Sequence, residues 1–442
     1  MPKISIVMPL YNAQKYLEEA LRSVLNQTFT DYELICVNDG SNDNTQNILH
    51  YYQKKDARIR ILENSTRSGA AYSRNKGIVE ARGKYVIFLD GDDIFEEEML
   101  SVSYETAEKN NTDVLMFSYK HVLSDQIYNK VQIVHGNNYV KKYCKKPFSV
   151  EKANPCEILL WSTSPCNKLF NKKFIMDNKI IFQNLSCAND VYFVKLALML
   201  SERSMVLNDD RVMVYARDHD EPSRISSRRD PMCCYRAYKY LLERLINEGK
   251  MEVLYRHYFY SALFSFKSVL EKTKEQEETR CFYEFLQNEG ISALRESSKK
   301  YQIENDEYLS YFFSQFEKQN YETRWFEDES ILKLFIRESP NKFSALFLNA
   351  NVIVWGAGKN GRTILQKCQE MNLKVKYVVD RDERKQGKYI EKYCIMKPES
   401  VICDVDTVLI SVYGIVEEVK DIMNQYGSKA RVVDINDYLE IC

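Results

Sequence analysis

The 442-residue sequence is sparing in the features that usually sort a chain quickly. It has only 14 glycines and 9 prolines, so it is neither collagen-like nor a low-complexity linker. No apolar run approaches the ~20 residues of a membrane-spanning helix. The opening Met-Pro-Lys-Ile-Ser-Ile-Val-Met-Pro lacks the layout of a secretory leader and reads as a first strand. Net charge is missing too, because 62 Lys and Arg against 63 Asp and Glu leave −1. That balance excludes a nucleic-acid coat, and no nucleic-acid partner is expected. The 12 cysteines have neither zinc spacing nor the density of a disulfide scaffold. Cys233 and Cys234 are adjacent, while Cys156, Cys166 and Cys187 are scattered. Reduced thiols and a cytoplasmic location are expected.

What is present fits an ordinary globular protein of about three domains. The runs Ile4–Met8, Leu34–Val37, Ile59–Leu62 and Tyr85–Leu89 are continuously apolar and alternate with helical patterns. Continuous apolar strands between helices predict a parallel sheet covered on both faces. From about residue 231 the pattern turns helical, with Tyr238, Leu241, Leu242 and Leu245 on one face and Phe259, Leu263, Phe266 and Leu270 on another. That stretch carries no chemical motif. A third segment opens with the strand Val352–Trp355 and continues with strands at Val375–Val379 and Val408–Ile410, a small Rossmann-like pattern. The expected class is α/β, divided into residues 1–230, a helical middle at 231–345, and a Rossmann-like domain at 346–442.

Three strand ends of the first segment carry polar groups: Pro9-Leu10-Tyr11-Asn12, Asn38-Asp39-Gly40-Ser41-Asn42-Asp43, and Asp90-Gly91-Asp92-Asp93. In parallel sheets ligands bind beyond the carboxyl ends of strands, where strand order reverses. Neighbouring carboxylates there would repel one another. A divalent cation relieves that, and magnesium or manganese typically sits on one or two carboxylates plus substrate phosphates. Turn chemistry and helix capping explain any single Asp-Gly equally well. The set, in strand context, points to a metal–diphosphate site. Arg74, early in a helix entered through Ser68-Gly69, would add positive charge for phosphate.

Ser5–Asn12, Val37–Ser41, Arg74-Asn75-Lys76-Gly77 and Gly83–Asp93 together resemble the inverting glycosyltransferases of family 2, which have the GT-A fold. Cys166-Asn167-Lys168-Leu169-Phe170 and Ala188-Asn189-Asp190-Val191-Tyr192-Phe193 resemble, more weakly, members that serve bacterial polysaccharide assembly. The resemblance implies that Pro9 and Tyr11 form the floor and wall of a nucleoside pocket. It also implies that Asp39 hydrogen-bonds the uracil and that Arg74 is the basic residue of the donor pocket. Asp90 and Asp92 match the family's D-x-D, Asp90 towards ribose and metal and Asp92 on the metal, with Asp93 in support. Asp190 matches the catalytic base. The usual Glu-Asp pair is Asn189-Asp190 here, so the base keeps its place and loses a charged neighbour.

Such a base takes the acceptor hydroxyl's proton in the transition state. Charge on the departing nucleotide diphosphate is met by the metal and Arg74. In-line displacement then inverts the anomeric carbon. The implied enzyme is a transferase using Mn2+ or Mg2+ and a nucleotide-sugar donor, UDP-linked by expectation. Its acceptor would be a growing glycan or a lipid-linked molecule of capsule or other surface polysaccharide synthesis. A nucleotidyltransferase would share the fold type and metal, but lacks support because no Gly-rich loop follows the first strand. A non-catalytic nucleotide-sugar scaffold sits poorly with intact Asp39, Asp90, Asp92 and Asp190. Asp190 also reads as a plain helix N-cap, and both roles are compatible.

Several positions carry two readings. His219 is a late metal ligand or an exposed loop histidine. Trp161 and Lys168 line the acceptor side, or the tryptophan belongs to the core. Gly356, Gly358 and Gly361, with Asp380 further on, have the form of a dinucleotide fingerprint. A structural or docking role competes with nucleotide binding there, and an NAD(P)-linked oxidoreductase would lack any paired catalytic set. The run Lys141-Lys142-Tyr143-Cys144-Lys145-Lys146-Pro147-Phe148 is a solvated loop, or a contact with the cytoplasmic face of the membrane or a lipid-linked acceptor.

Overall fold

The computed structural model describes residues 1–123, 133–136, 143, 146–153, 155, 162–207, 213–218, 230–272, 277–299, 301, 309, 313, 351–370, 372–403, 405–411 and 416–434. Two compact units divide the chain, Met1–Gly290 and Ile291–Cys442.

In the first unit the strands are β1 (Ile4–Leu10), β2 (Tyr32–Asn38), β3 (Ile59–Glu63), β4 (Tyr85–Phe88), β5 (Ile94–Phe95), β6 (Val114–Met116), β7 (Tyr119–Leu123), β8 (Ile133–Gly136), β9 (Lys168–Asn171), β10 (Ser204–Val206) and β11 (Val214–Asp218). Seven form one sheet in the order β10-β6-β9-β4-β1-β2-β3, and β5-β11-β7-β8 form a second. β1 pairs in parallel with both β2 and β4, whereas β9 runs antiparallel to β4 and β6, so the large sheet is mixed. Every residue of β2 and β4 is buried, which is why these strands read as unbroken apolar runs. From β1 the chain winds outward through β2 and β3, then returns to β4 on β1's other side. The order therefore reverses between β1 and β4, and the loops following these two strands flank the crevice.

Helices α1 (Leu17–Leu25), α2 (Thr45–Lys55) and α3 (Ala70–Glu80) join the first strands. α3 lies so close to the sheet that a Cβ added at Gly77 would sit 2.3 Å from Val7 Cγ1. No side chain fits in that gap, which is why glycine stands there. Further on, the helices Met232–Asn247 and Met251–Lys272 bury the faces read from the sequence: Tyr238, Leu241, Leu242 and Leu245 on the first, Phe259, Leu263, Phe266 and Leu270 on the second. The first of them packs on the helix Asn189–Leu200.

The second unit holds β12 (Val352–Trp355), β13 (Val375–Val379), β14 (Tyr389–Ile390), β15 (Tyr393–Met396), β16 (Thr407–Ile410) and β17 (Arg431–Asp434), in the order β14-β15-β13-β12-β16-β17. All neighbours are parallel except the β14–β15 hairpin. Apolar clusters cover both faces, with Val354 and Ile364 in one and Trp355 and Val419 in the other. The α/β class, with a mixed N-terminal sheet, a helical middle and a C-terminal Rossmann-like sheet, is the architecture observed. Among the described residues, no helix is long and apolar enough to cross a membrane.

Candidate active site

The loop after β1 is tied to the loop after β2 by short cross-links. Asn12 N–H donates to Ser41 Oγ (3.0 Å), Ala13 N–H to Thr45 Oγ1 (2.8 Å), and Asn42 N–H to Asn12 Oδ1 (2.9 Å). Asn12 is left-handed, at φ 50°. Two polar loops are thereby held as one rim. Asp39, 3 % exposed, closes the bottom of that rim. Its Oδ1 accepts from Asn64 Nδ2 (2.7 Å) and Ser68 N–H (2.8 Å), and its Oδ2 from Gly69 N–H (2.7 Å). A carboxylate held by three donors is fixed in orientation. Tyr11 stands at the mouth, its ring 4.1 Å from the Arg67 guanidinium carbon.

Arg74 sits on α3, buried to 7 % exposure. Its Nη2 donates to Asp90 Oδ1 at 2.7 Å and its Nη1 to Asn189 Oδ1 at 3.3 Å. The guanidinium lies 5.4 Å from the centre of the Phe182 ring. Phe182 in turn stacks on Phe193 at 3.9 Å, with Phe88 edge-on at 5.1 Å. This aromatic wall keeps water from the back of the guanidinium, and Arg74 Nε is buried without a partner. A cation held this way is directed towards the cleft, where an anion would complete its shell.

Asp90-Gly91-Asp92-Asp93 form a turn after β4, with Asp93 N–H donating to the Asp90 carbonyl at 3.1 Å. Asp90 and Asp92 are half-buried, and Asp93 is buried. Asp90, Asp93 and Cys166 each offer a ligand atom, all within 4.8 Å of one another. Burial, with Asp90 and Asp93 adding to it, pushes the Cys166 thiol well above its usual range. It is therefore a neutral thiol, a poor ligand beside two carboxylates, and the donor set is one of hard oxygens. That chemistry fits magnesium or manganese.

Asp190 lies in the first turn of the helix Asn189–Leu200. The N-cap is Ala188, left-handed at φ 54°, and no side chain caps the helix. The N-cap reading of Asp190 is thus corrected: Asn189 already occupies the first helical position, which moves Asp190 inside the turn. Burial raises the Asp190 pKa, Arg74 opposes the rise, and Asp90 adds to it. A carboxyl with a raised pKa is suited to taking a proton.

The fold thus brings Arg74 against Asp90 and sets Asp190 near both, with Asp39 at the entry to α3, Tyr11 on the loop after β1, and Asp92 in the same turn as Asp90. Pro9 lies within β1, paired in register with Val37. Lys168, expected to face the acceptor, is instead fully enclosed: its ammonium donates to the Ser162 and Ser164 carbonyls and to Asn167 Oδ1, each at 2.8 Å. Burial, helped by Lys195, pushes its pKa down to about 7. His219 and Trp161 lie outside the described residues, as do Lys141, Lys142 and Lys145 of the basic run. Of the aromatics in that run, Tyr143 is buried against Phe148.

In the second unit the glycine loop is built differently. A Cβ at Gly361 would fall 1.9 Å from the Gly356 carbonyl oxygen, so the helix Lys359–Glu370 and the loop touch through backbone alone. Gly358 has open space around it. Asp380, at the end of β13, spends its carboxylate within the protein: Ala357 N–H (2.8 Å), Asp382 N–H (2.9 Å) and Lys385 Nζ (3.0 Å) all donate to it.

Sequence reasoning missed Phe182, Cys166 and Arg217. Arg217 is buried against the acidic turn, with its Nε donating to the Asp92 carbonyl at 3.2 Å. No local pattern marks Phe182 or Arg217, and the Cys166–Phe170 stretch gives no sign of a thiol beside the acidic turn, since each reaches the site only through the tertiary fold.

A mixed α/β sheet with a carboxylate- and guanidinium-lined cleft at its switch point defines a nucleotide-binding fold of the GT-A kind. The chain belongs to glycosyl transferase family 2, whose family model matches residues 5–177. It is 33% identical over 195 residues to an uncharacterized glycosyltransferase, MJ1057, of Methanocaldococcus jannaschii, covering 43% of this chain and 67% of that protein. It is 31% identical over 230 residues to the poly(ribitol-phosphate) beta-N-acetylglucosaminyltransferase TarP of Staphylococcus aureus, covering 51% of this chain and 66% of TarP. The fold is similar to the crystal structure of S. aureus TarS 1-349 in complex with UDP-GlcNAc, at TM-score 0.56 and 23% identity, covering 71% of this chain and 87% of that one. In eight curated relatives that it matches, the chain spans from 33% to 68% of their length. Residues 348–433 match a second family, described as C2185-like, N-terminal.

Proposed function

We propose that the cleft transfers a sugar, with inversion, from a UDP-linked donor to a hydroxyl of a growing glycan or lipid-linked acceptor in bacterial surface-polysaccharide synthesis. The observation that carries this reading is the convergence of Asp39, Arg74, Asp90 and Asp190 at one switch point, an arrangement with places for a base, a diphosphate and a nucleophile. The activity of TarP and the donor bound in TarS support the choice of donor and acceptor class.

In this reading Tyr11 and Pro9 wall the nucleoside, and Asp39, fixed by its three donors, accepts from the uracil. Arg74 moves charge towards the diphosphate, and its unpartnered Nε gains an acceptor. Asp90 and Asp92, supported by Asp93, hold a dication, Mn2+ or Mg2+, with His219 as a further ligand. When bound, the ion supplies charge neutralisation for the leaving diphosphate. The Asp190 carboxylate receives the acceptor hydroxyl's proton as the new bond to the anomeric carbon forms. Because Asn189 is neutral, Arg74 has Asp90 as its only ion-pair partner among the described residues, and more of its charge remains for substrate.

A screen of nucleotide-sugar hydrolysis, with and without manganese, tests this. Turnover of a UDP-sugar that depends on the ion supports the reading; no turnover or binding of any uridine donor overturns it. Within the working division 1–230, 231–345 and 346–442, the last segment serves packing or docking, because Asp380 is committed to its own loop. Saturable hydrogen-exchange protection of Gly356–Gly361 by a nucleotide would reassign it. Peripheral contact with the cytoplasmic membrane face is assigned to the Lys141–Lys146 run. Liposome co-sedimentation unchanged by replacing Lys141, Lys142, Lys145 and Lys146 would remove that assignment.

A further inference from the structure

One charged side chain beside the cleft has no part in the transfer chemistry and is still buried to 1 % exposure: Arg217, on β11. Its partners come from two directions. Nη2 reaches Glu19 Oε2 on α1 at 2.5 Å, and Nε donates to the main-chain carbonyl of Asp92 at 3.2 Å. The guanidinium carbon lies 4.2 Å from the centre of the Tyr16 ring. The residue's own N–H donates to Asp93 Oδ1 at 3.1 Å. A buried guanidinium is tolerated only where its donors are matched, and once matched it is a rigid, directional brace. Here the brace runs from Glu19 to the backbone of the acidic turn.

We infer that Arg217 is a positioning residue for the donor site, holding the Asp92–Asp93 turn so that the Asp92 carboxylate is presented to the dication and diphosphate. The inference rests on the donor-site reading above. Three carboxylates share this turn, and without a fixed backbone their repulsion would splay them. Arg217 opposes that in two ways. The main-chain bond to Asp93 turns one carboxylate into a structural anchor. The guanidinium, compensated by Glu19, places positive charge against the carbonyl face of the turn. Residues that orient metal ligands from outside the coordination sphere typically change metal affinity by about 10–100-fold when replaced.

The test uses the full chain, with Mn2+ and UDP as probes. Free Mn2+ is followed by electron paramagnetic resonance with and without UDP, UDP binding alone by calorimetry, and folding by thermal unfolding. Arg217→Lys keeps the charge but cannot span Glu19 and the Asp92 carbonyl together. It is expected to weaken Mn2+ binding in the presence of UDP by about tenfold or more. UDP binding without metal should change little. Donor turnover should recover at saturating Mn2+, so that the requirement for the ion shifts while kcat is retained. A merely structural role would lower kcat at every Mn2+ concentration alongside the unfolding midpoint. If Arg217→Lys does not fold, Glu19→Gln, which keeps size and removes the counter-charge, should shift the Mn2+ requirement in the same direction by a smaller factor. Unchanged Mn2+ affinity in a folded Arg217→Lys, or in Glu19→Gln when only that variant folds, overturns the inference while leaving the donor site intact. Failure of the wild-type chain to bind Mn2+ with UDP overturns the donor-site reading, and the inference with it.

Discussion

Both units place an aspartate just after a parallel strand, beside a glycine-bearing turn, yet the two carboxylates face different partners. Asp90 in the first unit meets the Arg74 guanidinium, and its side chain is 42% exposed to the cleft. Asp380 in the second is taken up by two backbone N–H groups and Lys385, with 12% exposure. The same topology thus yields a site in one case and a latch in the other. What differs is the number of internal donors around the carboxylate. Where the protein meets the need for donors itself, the carboxylate holds a loop; where it supplies one cation and leaves the rest to solvent, a ligand can complete the shell.

That contrast can be broken most sharply by removing dications. Chelation should abolish transfer and leave the unfolding of the second unit unchanged, with Mn2+ or Mg2+ restoring activity; transfer that survives exhaustive chelation would dissolve the distinction. Next comes Asp190→Asn, which should cut transfer by about 10²–10⁴-fold. Its UDP affinity, read by calorimetry, should be nearly unchanged. In the second unit, Gly361→Ala forces a Cβ onto the Gly356 carbonyl and should cost about 3 kcal/mol of that unit's stability. Donor turnover should persist in it. Asp380→Ala strands the Ala357 and Asp382 N–H groups and should cost about 1–3 kcal/mol, again with turnover preserved.

The smallest expected effect concerns pH. The folded-state pKa of Asp190 is raised, so the fold favours its protonated form. The stability this contributes is complete below the ordinary carboxylate range and is lost as pH rises through the raised value. At neutral pH Asp190→Asn should therefore melt slightly higher than wild type, and the difference should vanish in acid. By the same sign, the acid limb of kcat should lie above the ordinary carboxylate range. An acid limb at or below that range would contradict the raised pKa of the base.

The strands of the first unit were legible because burial on both faces leaves an unbroken apolar run, as in Leu34–Val37 and Tyr85–Leu89. Asp39, Arg74 and the Asp90–Asp93 turn were legible because they sit where such runs stop. The helical faces around Tyr238 and Phe266 followed from spacing alone. Arg217 was not legible: Tyr215-Ala216-Arg217-Asp218 has the look of an exposed polar loop, and the Asp92 and Asp93 it meets are more than a hundred residues earlier. Phe182 follows Ile180-Ile181 as one more apolar residue, and only the fold sets it under Arg74. Lys168 misled because a lysine is ordinarily solvated, whereas here three acceptors enclose it.

The contact between Gly77 and Val7 fixes an altitude. Arg74 rides on the same helix, one turn earlier, and its reach to Asp90 is set by how far that helix can settle onto the strand beneath. Any larger residue at Gly77 would jack the helix upward and lift the guanidinium off its mark with every charge still in place. A designer transplanting this pocket would have to copy the missing methyl before copying the arginine.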